Sequence, residues 1–198
     1  MRIKLDRIIT DESELLGTGR RVEIWFHGCS RDCPGCITAD HNHTDDAMLE
    51  LSVKTLFEYI QQVNNIEGVT ISGGEPFLQE NGLLELVRLV RSKELGIIIY
   101  SGFTHEELLA LPHGREILGC VDVLIDGQYV QELDDGRPFR GSSNQVIHHF
   151  TERYRDFFTD SSRKRECVVA QRGIYFTLTG IPTEESKALW KLIKRKEM

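Results

Sequence analysis

The sequence predicts an α/β fold with a mostly parallel sheet, followed by a small C-terminal appendage. Short apolar, β-branched segments alternate with segments whose apolar residues recur at helical spacing, which is typical of strand–helix–strand units. After about residue 150 the chain becomes polar and charged, and a new pattern of strands and a helix begins. We therefore predict a core domain over residues 1–150 and an appendage over residues 151–198.

Four segments read as strands of the core. They cover residues 21–28, 68–72, 96–100 and 121–127. The last of these is apolar and β-branched enough to be buried on both faces, as in a parallel sheet. Right-handed crossovers between parallel strands bring their carboxyl ends to one edge, where α/β proteins bind ligands.

The connecting helices are predicted over residues 52–63, 81–95 and 104–112. In the third helix Thr104 is followed three residues later by Glu107, which is the pattern of a capping box.

The appendage reads as a hairpin followed by a helix. Two strands lie within residues 165–180, joined by a turn at 171–173, and an amphipathic helix begins at Thr183. Its expected buried stripe consists of Ala188, Leu189, Leu192 and Ile193.

Composition excludes several classes of protein. With 198 residues, 40% hydrophobic and 28% charged, the chain is neither disordered nor of low complexity. The 24 Lys and Arg against 31 Asp and Glu give a net charge of −7, opposite to the charge that nucleic acids select. No segment approaches the ~20 apolar residues that span a bilayer, and the N-terminus lacks the apolar region of a signal peptide. We expect a cytoplasmic protein with no nucleic-acid or membrane partner.

Three cysteines follow the first predicted strand. Cys29, Cys33 and Cys36 lie within eight residues, and Gly28, Pro34 and Gly35 supply tight turns that let the loop curl around one cavity. The loop is therefore a candidate metal site.

Two metal sites are compatible with this loop. A structural zinc site needs a fourth ligand, for which His27, His41 and His43 are the nearest candidates. A 4Fe-4S cluster held by three thiolates leaves one iron open for chemistry. The remaining two cysteines, Cys120 and Cys167, stand in apolar surroundings and are predicted to be small core residues.

A glycine-rich segment follows the second predicted strand. It consists of Ser72, Gly73, Gly74 and Glu75, and glycines suit a site where a ligand must approach the backbone closely. Alone, this segment would be an ordinary strand-to-helix turn.

The cysteine spacing CxxxCxxC followed by SGGEP resembles the radical S-adenosylmethionine superfamily. Further segments, YSGF, VDVLIDG and FRGSSNQVIHHF, resemble the anaerobic ribonucleotide reductase activating proteins, which install a glycyl radical in their reductase. The resemblance covers roughly residues 10–150. It implies a partial (β/α) barrel, with a 4Fe-4S cluster on Cys29, Cys33 and Cys36 as the catalytic centre. It also implies that S-adenosylmethionine binds the open iron and is reductively cleaved to a 5′-deoxyadenosyl radical.

The same resemblance implies the residues around the cofactor. The Ser72, Gly73, Gly74 and Glu75 segment would hold the methionine amino end. Gly35, Cys36 and Ile37 would lie against the nucleotide, although Ile37 replaces an aromatic residue that many relatives carry. The rim of the pocket would include Ser101, Asp126 and Asn144, and for Asn144 a hydrogen-bonded loop anchor is an equal alternative.

The implied partners are a glycyl-radical enzyme, such as anaerobic ribonucleotide reductase, and an electron donor such as flavodoxin or ferredoxin. Two other functions remain open from the sequence. One is a radical S-adenosylmethionine enzyme that acts on another peptide or a small molecule. The other is a non-catalytic iron–sulfur or zinc protein in redox sensing or regulation, which would leave SGGEP and RGSSNQ without a role.

Overall fold

A computed structural model describes residues 1–11, 14–38, 49–172 and 175–197. The proposed zinc ligands His41 and His43, and part of the predicted turn at 171–173, lie outside these ranges.

A seven-stranded mixed sheet forms the centre of the molecule. Its strands run in the spatial order β3-β1-β2-β4-β5-β6-β7. The four central strands β2, β4, β5 and β6 are parallel, while β1, β3 and β7 join the two flanks in antiparallel pairings. In the described part of the chain the sheet is open, with β3 and β7 as its edges. The strand bounds are β1 (Arg2–Asp11), β2 (Arg21–Phe26), β3 (Leu49–Ser52), β4 (Gly68–Gly73), β5 (Gly96–Tyr100), β6 (Val123–Asp126) and β7 (Val146–His149).

The α/β fold with a parallel centre is confirmed, and all four predicted core strands are present. The three antiparallel strands β1, β3 and β7 were not predicted. In β1 the pairing with β2 shifts register between Leu5 and Arg7, so the residues that pack against the main core are Ile3, Leu5 and then Ile8. Such an irregularity hides the period of two that identifies a strand in a sequence.

Helices cover one face of the sheet. The helices on this face are α1 (Val53–Gln62), α2 (Glu80–Arg91), α3 (His105–Ala110) and α4 (Gly114–Leu118), and α5 (Arg155–Thr159) and α6 (Glu184–Glu197) follow later in the chain. The main core lies between α1, α2 and the central strands, where residues such as Leu56, Leu86 and Ile71 are fully buried. The predicted capping box is present in α3, since the Thr104 side chain accepts from the Glu107 N–H and the Glu107 carboxylate accepts from the Thr104 N–H.

The opposite face of the sheet carries a second, smaller core. Ile98, Val123 and Ile125 pack there against Phe139, Tyr154 and Phe158. Buried packing of the sheet therefore extends past residue 150 to α5. On β2 and β4 the same face carries the buried polar side chains Arg21, Glu23 and Thr70.

The predicted C-terminal hairpin and helix are present, but Gln171 and Arg172, which were predicted in the turn, are paired residues of the first hairpin strand. Strands β8 (Cys167–Arg172) and β9 (Tyr175–Gly180) pair antiparallel, and α6 starts directly after Thr183, whose hydroxyl accepts from the Ser186 N–H at 3.3 Å. No helix among the described residues is long and apolar enough to cross a membrane.

The predicted buried stripe of α6 is wrong. Ala188 is exposed, Leu189 is 49% exposed and Leu192 is 57% exposed; of the four residues only Ile193 is half-buried. The half-buried face consists of Ser186, Lys187, Trp190 and Ile193. The Lys187 ammonium group pairs with Asp134 at 3.1 Å, so the face of α6 that carries Lys187 lies toward the core domain. The spacing of apolar residues gives no sign of such an ion pair.

Candidate active site

An open cleft lies at the carboxyl ends of the parallel strands. Its empty volume, including the space at its mouth, is about 1010 Å³. The loops after β2, β4, β5 and β6 all contribute to it, as expected for parallel strands whose carboxyl ends share one edge. The predicted residues that line the cleft are Cys29, Cys33, Gly35, Cys36, Ile37, Ser72, Gly73, Gly74, Glu75 and Ser101.

The cysteine loop is built from tight turns. Gly28 and Gly35 have φ angles of +87° and +76°, a region that glycine adopts without strain. The Cys36 N–H donates to the Cys33 carbonyl at 3.1 Å, and the Arg31 N–H points at the Cys29 sulfur at 3.4 Å. All three thiols are free and half-buried.

Arg31 links this loop to the segment that follows β5. Its guanidinium donates to the Glu107 carboxylate at 2.7 Å and lies 4.1 Å from the centre of the Phe103 ring. Because Glu107 is also the third residue of the capping box, the cysteine loop is tied to the first turn of α3. Sequence reasoning did not find this link, since neither residue belongs to a metal-binding pattern.

Burial raises the pKa of the Cys29 and Cys33 thiols above the usual value. Metal binding must therefore displace protons from both sulfurs.

The described residues contain no group of three or more His, Cys, Asp and Glu side chains placed to hold a single metal ion. Three thiolates can each bind a different iron of a 4Fe-4S cube. His27 pairs with Asp6, with 2.9 Å between Nδ1 and Oδ1, and does not line the cleft.

The glycine-rich segment requires its glycines. Gly73 has a φ of +105°, and a Cβ atom at this position would lie 2.4 Å from both the backbone N and O of Phe26. The next two residues bond to the chain that leads into the cysteine loop, since Gly74 N–H donates to Phe26 O at 2.7 Å and Glu75 N–H donates to Gly28 O at 2.8 Å. The two motifs are therefore hydrogen-bonded into one unit.

The Glu75 side chain joins the ends of two strands. It is 1% exposed, and its carboxylate accepts from Phe77 N–H at 3.1 Å, Ser101 Oγ at 3.0 Å and Gly102 N–H at 2.7 Å. Burial raises the pKa of Glu75, although these hydrogen bonds and Arg31 oppose the shift. The carboxylate thus holds the β4 and β5 ends together under the cleft.

The RGSSNQ loop is held by its own hydrogen bonds. Asn144 donates from Nδ2 to the Gln128 carbonyl at 2.7 Å, and the buried Asp126 carboxylate accepts from the Val146 N–H at 3.2 Å. Neither residue is among those that line the cleft, and a role in cofactor binding stays a prediction for both. Gln145 does line it, and its Oε1 accepts from the Gly141 N–H at 2.7 Å.

Other lining residues had no local signal in the sequence. They come from three separate parts of the chain: Trp25 and Tyr100 on the central strands, Tyr129 in the loop after β6, and Arg165, Ile181, Pro182 and Lys187 from the C-terminal region. Only tertiary packing brings them to the cleft.

The residues present fit the cofactors that the motifs imply. Three free thiols stand beside a glycine-rich backbone edge, in a cleft with a mainly apolar lining. Such a donor set can bind an iron–sulfur cluster, and the adjacent edge can accept an amino-acid end by backbone hydrogen bonds.

Comparison with known proteins agrees with this site. A protein-family profile described as "4Fe-4S single cluster domain" matches residues 15–148. The anaerobic ribonucleoside-triphosphate reductase-activating protein of Escherichia coli (strain K12) is 31% identical over 142 residues, which is 67% of this chain and 90% of the relative. The protein of the same name from Vibrio cholerae is 32% identical over 147 residues, covering 68% and 91%.

A crystal structure of QueE from Escherichia coli is also similar, with a TM-score of 0.46 and 21% sequence identity; the match covers 52% of this chain and 54% of QueE. The family profile spans the cysteine loop, the SGGEP segment and the parallel strands. The chain therefore belongs to the anaerobic ribonucleoside-triphosphate reductase-activating protein family, whose members are radical S-adenosylmethionine enzymes with a single 4Fe-4S cluster.

Proposed function

We propose that this protein reductively cleaves S-adenosylmethionine and uses the resulting radical to activate a glycyl-radical enzyme, namely an anaerobic ribonucleotide reductase. The observation that carries the proposal is the joint placement of the Cys29, Cys33 and Cys36 loop and the Ser72–Glu75 backbone at one cleft. A structural or regulatory metal site would not need this second motif.

The chain's own residues would bind and position the cofactors. Cys29, Cys33 and Cys36 would hold the 4Fe-4S cluster and leave one iron open. The backbone around Gly73 and Gly74 would hold the methionine end of S-adenosylmethionine, since no side chain obstructs its approach. When bound, cluster and S-adenosylmethionine together supply a 5′-deoxyadenosyl radical that can abstract a hydrogen atom from a glycine Cα.

The other lining groups would orient the nucleoside. Ile37 offers an apolar surface to adenine, and Ser101 lies at the end of β5 on the same rim. The Glu75 carboxylate would keep the β4 and β5 ends in register beneath the ligand, because it is bonded to both. A fixed geometry matters here, since hydrogen abstraction requires the reacting carbons to be held close together.

The relatives named as reductase-activating proteins support the choice of an anaerobic ribonucleotide reductase as partner. We further propose that flavodoxin or ferredoxin supplies the electron. Five free thiols and a low-potential electron donor fit a cytoplasmic location.

Two measurements test the proposal. Protein reconstituted anaerobically with iron and sulfide is reduced and mixed with S-adenosylmethionine, and methionine and 5′-deoxyadenosine are quantified. The same mixture, with each glycyl-radical protein encoded in the genome of origin, is then examined by electron paramagnetic resonance. We expect both products and a glycine-centred doublet signal with the reductase.

The matched controls are Cys36→Ala, which should abolish both signals, and Cys120→Ala, which should leave both. Cofactor cleavage without a glycyl radical on any partner, together with turnover of a small molecule, would overturn the activase proposal in favour of another radical enzyme. No cleavage by fully reconstituted protein, even with its partners, would favour a non-catalytic redox protein.

A further inference from the structure

The C-terminal segment, defined here as residues 163–190, forms one side of the active-site cleft. Arg165, Gly180, Ile181, Pro182 and Lys187 line the same cleft as the three loop cysteines. These residues lie beyond the family match, which ends at residue 148. This side of the cleft is thus built by a part of the chain that the family pattern does not include.

A cluster of charged groups fastens this segment to the core domain. Asp134, in the loop after β6, accepts two hydrogen bonds from the Arg165 guanidinium and a third from Lys187 Nζ at 3.1 Å. Lys187 Nζ also lies 3.3 Å from the Tyr129 hydroxyl. Planar, two-point pairing of Arg with a carboxylate is the most directional ion pair that proteins use. Asp134 therefore fixes the position of both cations beside the cleft.

Arg165 has one donor that the described residues leave unsatisfied. Its side chain is only 7% exposed, and its Nε atom is buried without a hydrogen-bond partner. Two other residues that line the cleft show the same feature, at Arg31 Nε and at the Tyr100 hydroxyl. Buried donors without an acceptor are rare in proteins because each costs about 1–3 kcal/mol. Of the buried polar atoms without a partner among the described residues, these three belong to residues that line the cleft, where oxygen acceptors of a bound molecule would satisfy them.

We propose that the C-terminal segment is part of the S-adenosylmethionine site and that Arg165 is a cofactor-binding residue. A small adjustment of the Arg165 side chain, with its Nη atoms kept on Asp134, would present Nε–H to a hydroxyl or carboxylate oxygen of the cofactor. Ile181 and Pro182 supply apolar surface on the same wall. The inference rests on the proposed function only in taking S-adenosylmethionine as the molecule bound in the cleft.

The first test is binding of S-adenosylmethionine to the full-length protein with its cluster oxidised, a state in which no electron is available to cleave the cofactor. Calorimetry gives the Kd of wild type, Arg165→Gln, Arg165→Lys and the neighbouring control Lys164→Gln. We expect Kd to rise at least fivefold in Arg165→Gln and to stay unchanged in Lys164→Gln, which alters an exposed residue. Iron content and circular dichroism verify that each variant is folded.

Arg165→Lys distinguishes a direct contact between Arg165 and the cofactor from a role of Arg165 in attaching the C-terminal segment to the core domain. Arg165→Lys can still pair with Asp134 but has no Nε donor, so we expect the segment to stay attached while the Kd rises by a similar factor. Full recovery of wild-type affinity in Arg165→Lys would overturn a direct contact and leave Arg165 as an anchor of the segment.

A second measurement needs no variant. Hydrogen exchange of wild-type protein is followed with and without S-adenosylmethionine, and we expect the cofactor to slow exchange at residues 177–187. Unchanged exchange there, or an unchanged Kd in Arg165→Gln, contradicts the inference. The two proposals can fail separately. A protein that binds S-adenosylmethionine through Arg165 but forms no glycyl radical would refute only the proposed activation of a glycyl-radical enzyme.

Discussion

At the level of single residues, the three loop cysteines are separated from the other two by their surroundings. Cys29, Cys33 and Cys36 face the cleft, whereas Cys120 packs against the main core and Cys167 opens β8. A cluster bound by only three thiolates cannot lose one without losing most of its stability. We expect alanine substitution of any one of the three to remove most bound iron after anaerobic reconstitution, measured by iron analysis and visible absorption.

Cys120→Ala and Cys167→Ala are the matched controls and should keep the wild-type iron content. Stoichiometric zinc without iron, in protein purified under strict anaerobiosis, would contradict the cluster prediction.

Gly73 combines an unusual backbone angle with a lack of space. Gly73→Ala would place a Cβ 2.4 Å from the Phe26 backbone at a φ of +105°, so β2 and β4 must separate locally. We expect a loss of roughly 3 kcal/mol in the free energy of unfolding, measured by urea denaturation, together with weaker binding of S-adenosylmethionine.

Gly28→Ala is a matched control for the backbone angle alone. Gly28 has a φ of +87°, but a Cβ there meets nothing within 4 Å. Its cost should be about 1 kcal/mol, the strain of the angle by itself. Equal losses in the two variants would show that the contact with Phe26 is not what requires glycine at position 73.

At the level of elements, α3 supports the cysteine loop through its capping box. The Thr104 hydroxyl accepts from the Glu107 N–H at 3.2 Å, and the Glu107 carboxylate accepts from both the Thr104 N–H and Arg31 at 2.7 Å. Loss of a cap of this kind costs about 1 kcal/mol. We expect Thr104→Ala to lower the free energy of unfolding by this amount and to speed loss of the cluster in air, followed by visible absorption.

Ser52→Ala gives the comparison. Ser52 caps α1 by accepting from the Thr55 N–H at 3.0 Å, and within the described ranges no hydrogen bond joins α1 to the cysteine loop as Glu107 joins α3 to it. It should cost similar stability without changing the rate of cluster loss. If both variants lost the cluster equally fast, the effect would be one of general stability.

The attachment of the C-terminal segment has a defined pH dependence. Burial alone would raise the pKa of Asp134, but hydrogen bonds from Arg165, the Gly136 N–H and Lys187 outweigh it and lower the pKa to about 2. Because the unfolded chain titrates near about 3.9, this carboxylate stabilises the fold fully above that pH and loses its effect as the pH falls toward 2.

We therefore compare the free energies of unfolding of wild type and Asp134→Asn by urea denaturation. The difference should be constant between about pH 8 and pH 5 and should shrink below about pH 4. A difference that already declines between pH 8 and pH 5 would assign the attachment to another titrating group.

At the level of the whole molecule, one buried cation connects distant parts of the chain. Arg21 is 3% exposed and donates to Thr70 Oγ1 at 2.8 Å, to the Val69 carbonyl at 2.7 Å and to the Tyr154 hydroxyl at 3.0 Å. The Tyr154 hydroxyl donates in turn to Glu67 at 3.1 Å. Arg21 thus joins β2 and β4 to the chain beyond residue 150.

Removing this cation would leave several buried acceptors without a donor. We expect Arg21→Leu to lower the free energy of unfolding by about 3 kcal/mol or more, with a single transition by fluorescence and circular dichroism. Arg20→Leu, at a neighbouring half-buried position, should cost under about 1 kcal/mol. Two separate transitions in Arg21→Leu would show that residues beyond 150 unfold independently.

Several features could be predicted from the sequence because their causes are local. The capping box depends on two residues three apart, the cysteine loop on eight consecutive residues, and the parallel strands on short apolar runs. The common edge of the parallel strands follows from their crossovers, which is why the cysteine loop and Ser72–Glu75 could be expected to meet.

Other features depend on contacts between residues far apart in the chain. Glu75 bonds to Ser101 and Gly102, Arg31 to Glu107, and Arg165 and Lys187 to Asp134. The face of α6 turned toward the core was mispredicted for the same reason, because one ion pair outweighs the apolar periodicity of a helix with few neighbours.

The sequence by itself therefore determined the α/β class, the cysteine loop and the glycine-rich edge, since steric freedom and residue spacing are properties of a few neighbouring residues. Only the tertiary structure decided that the C-terminal segment closes one side of the cleft and that RGSSNQ holds its own loop. Both features depend on hydrogen bonds between residues far apart in the chain, and these bonds form only when distant segments pack together.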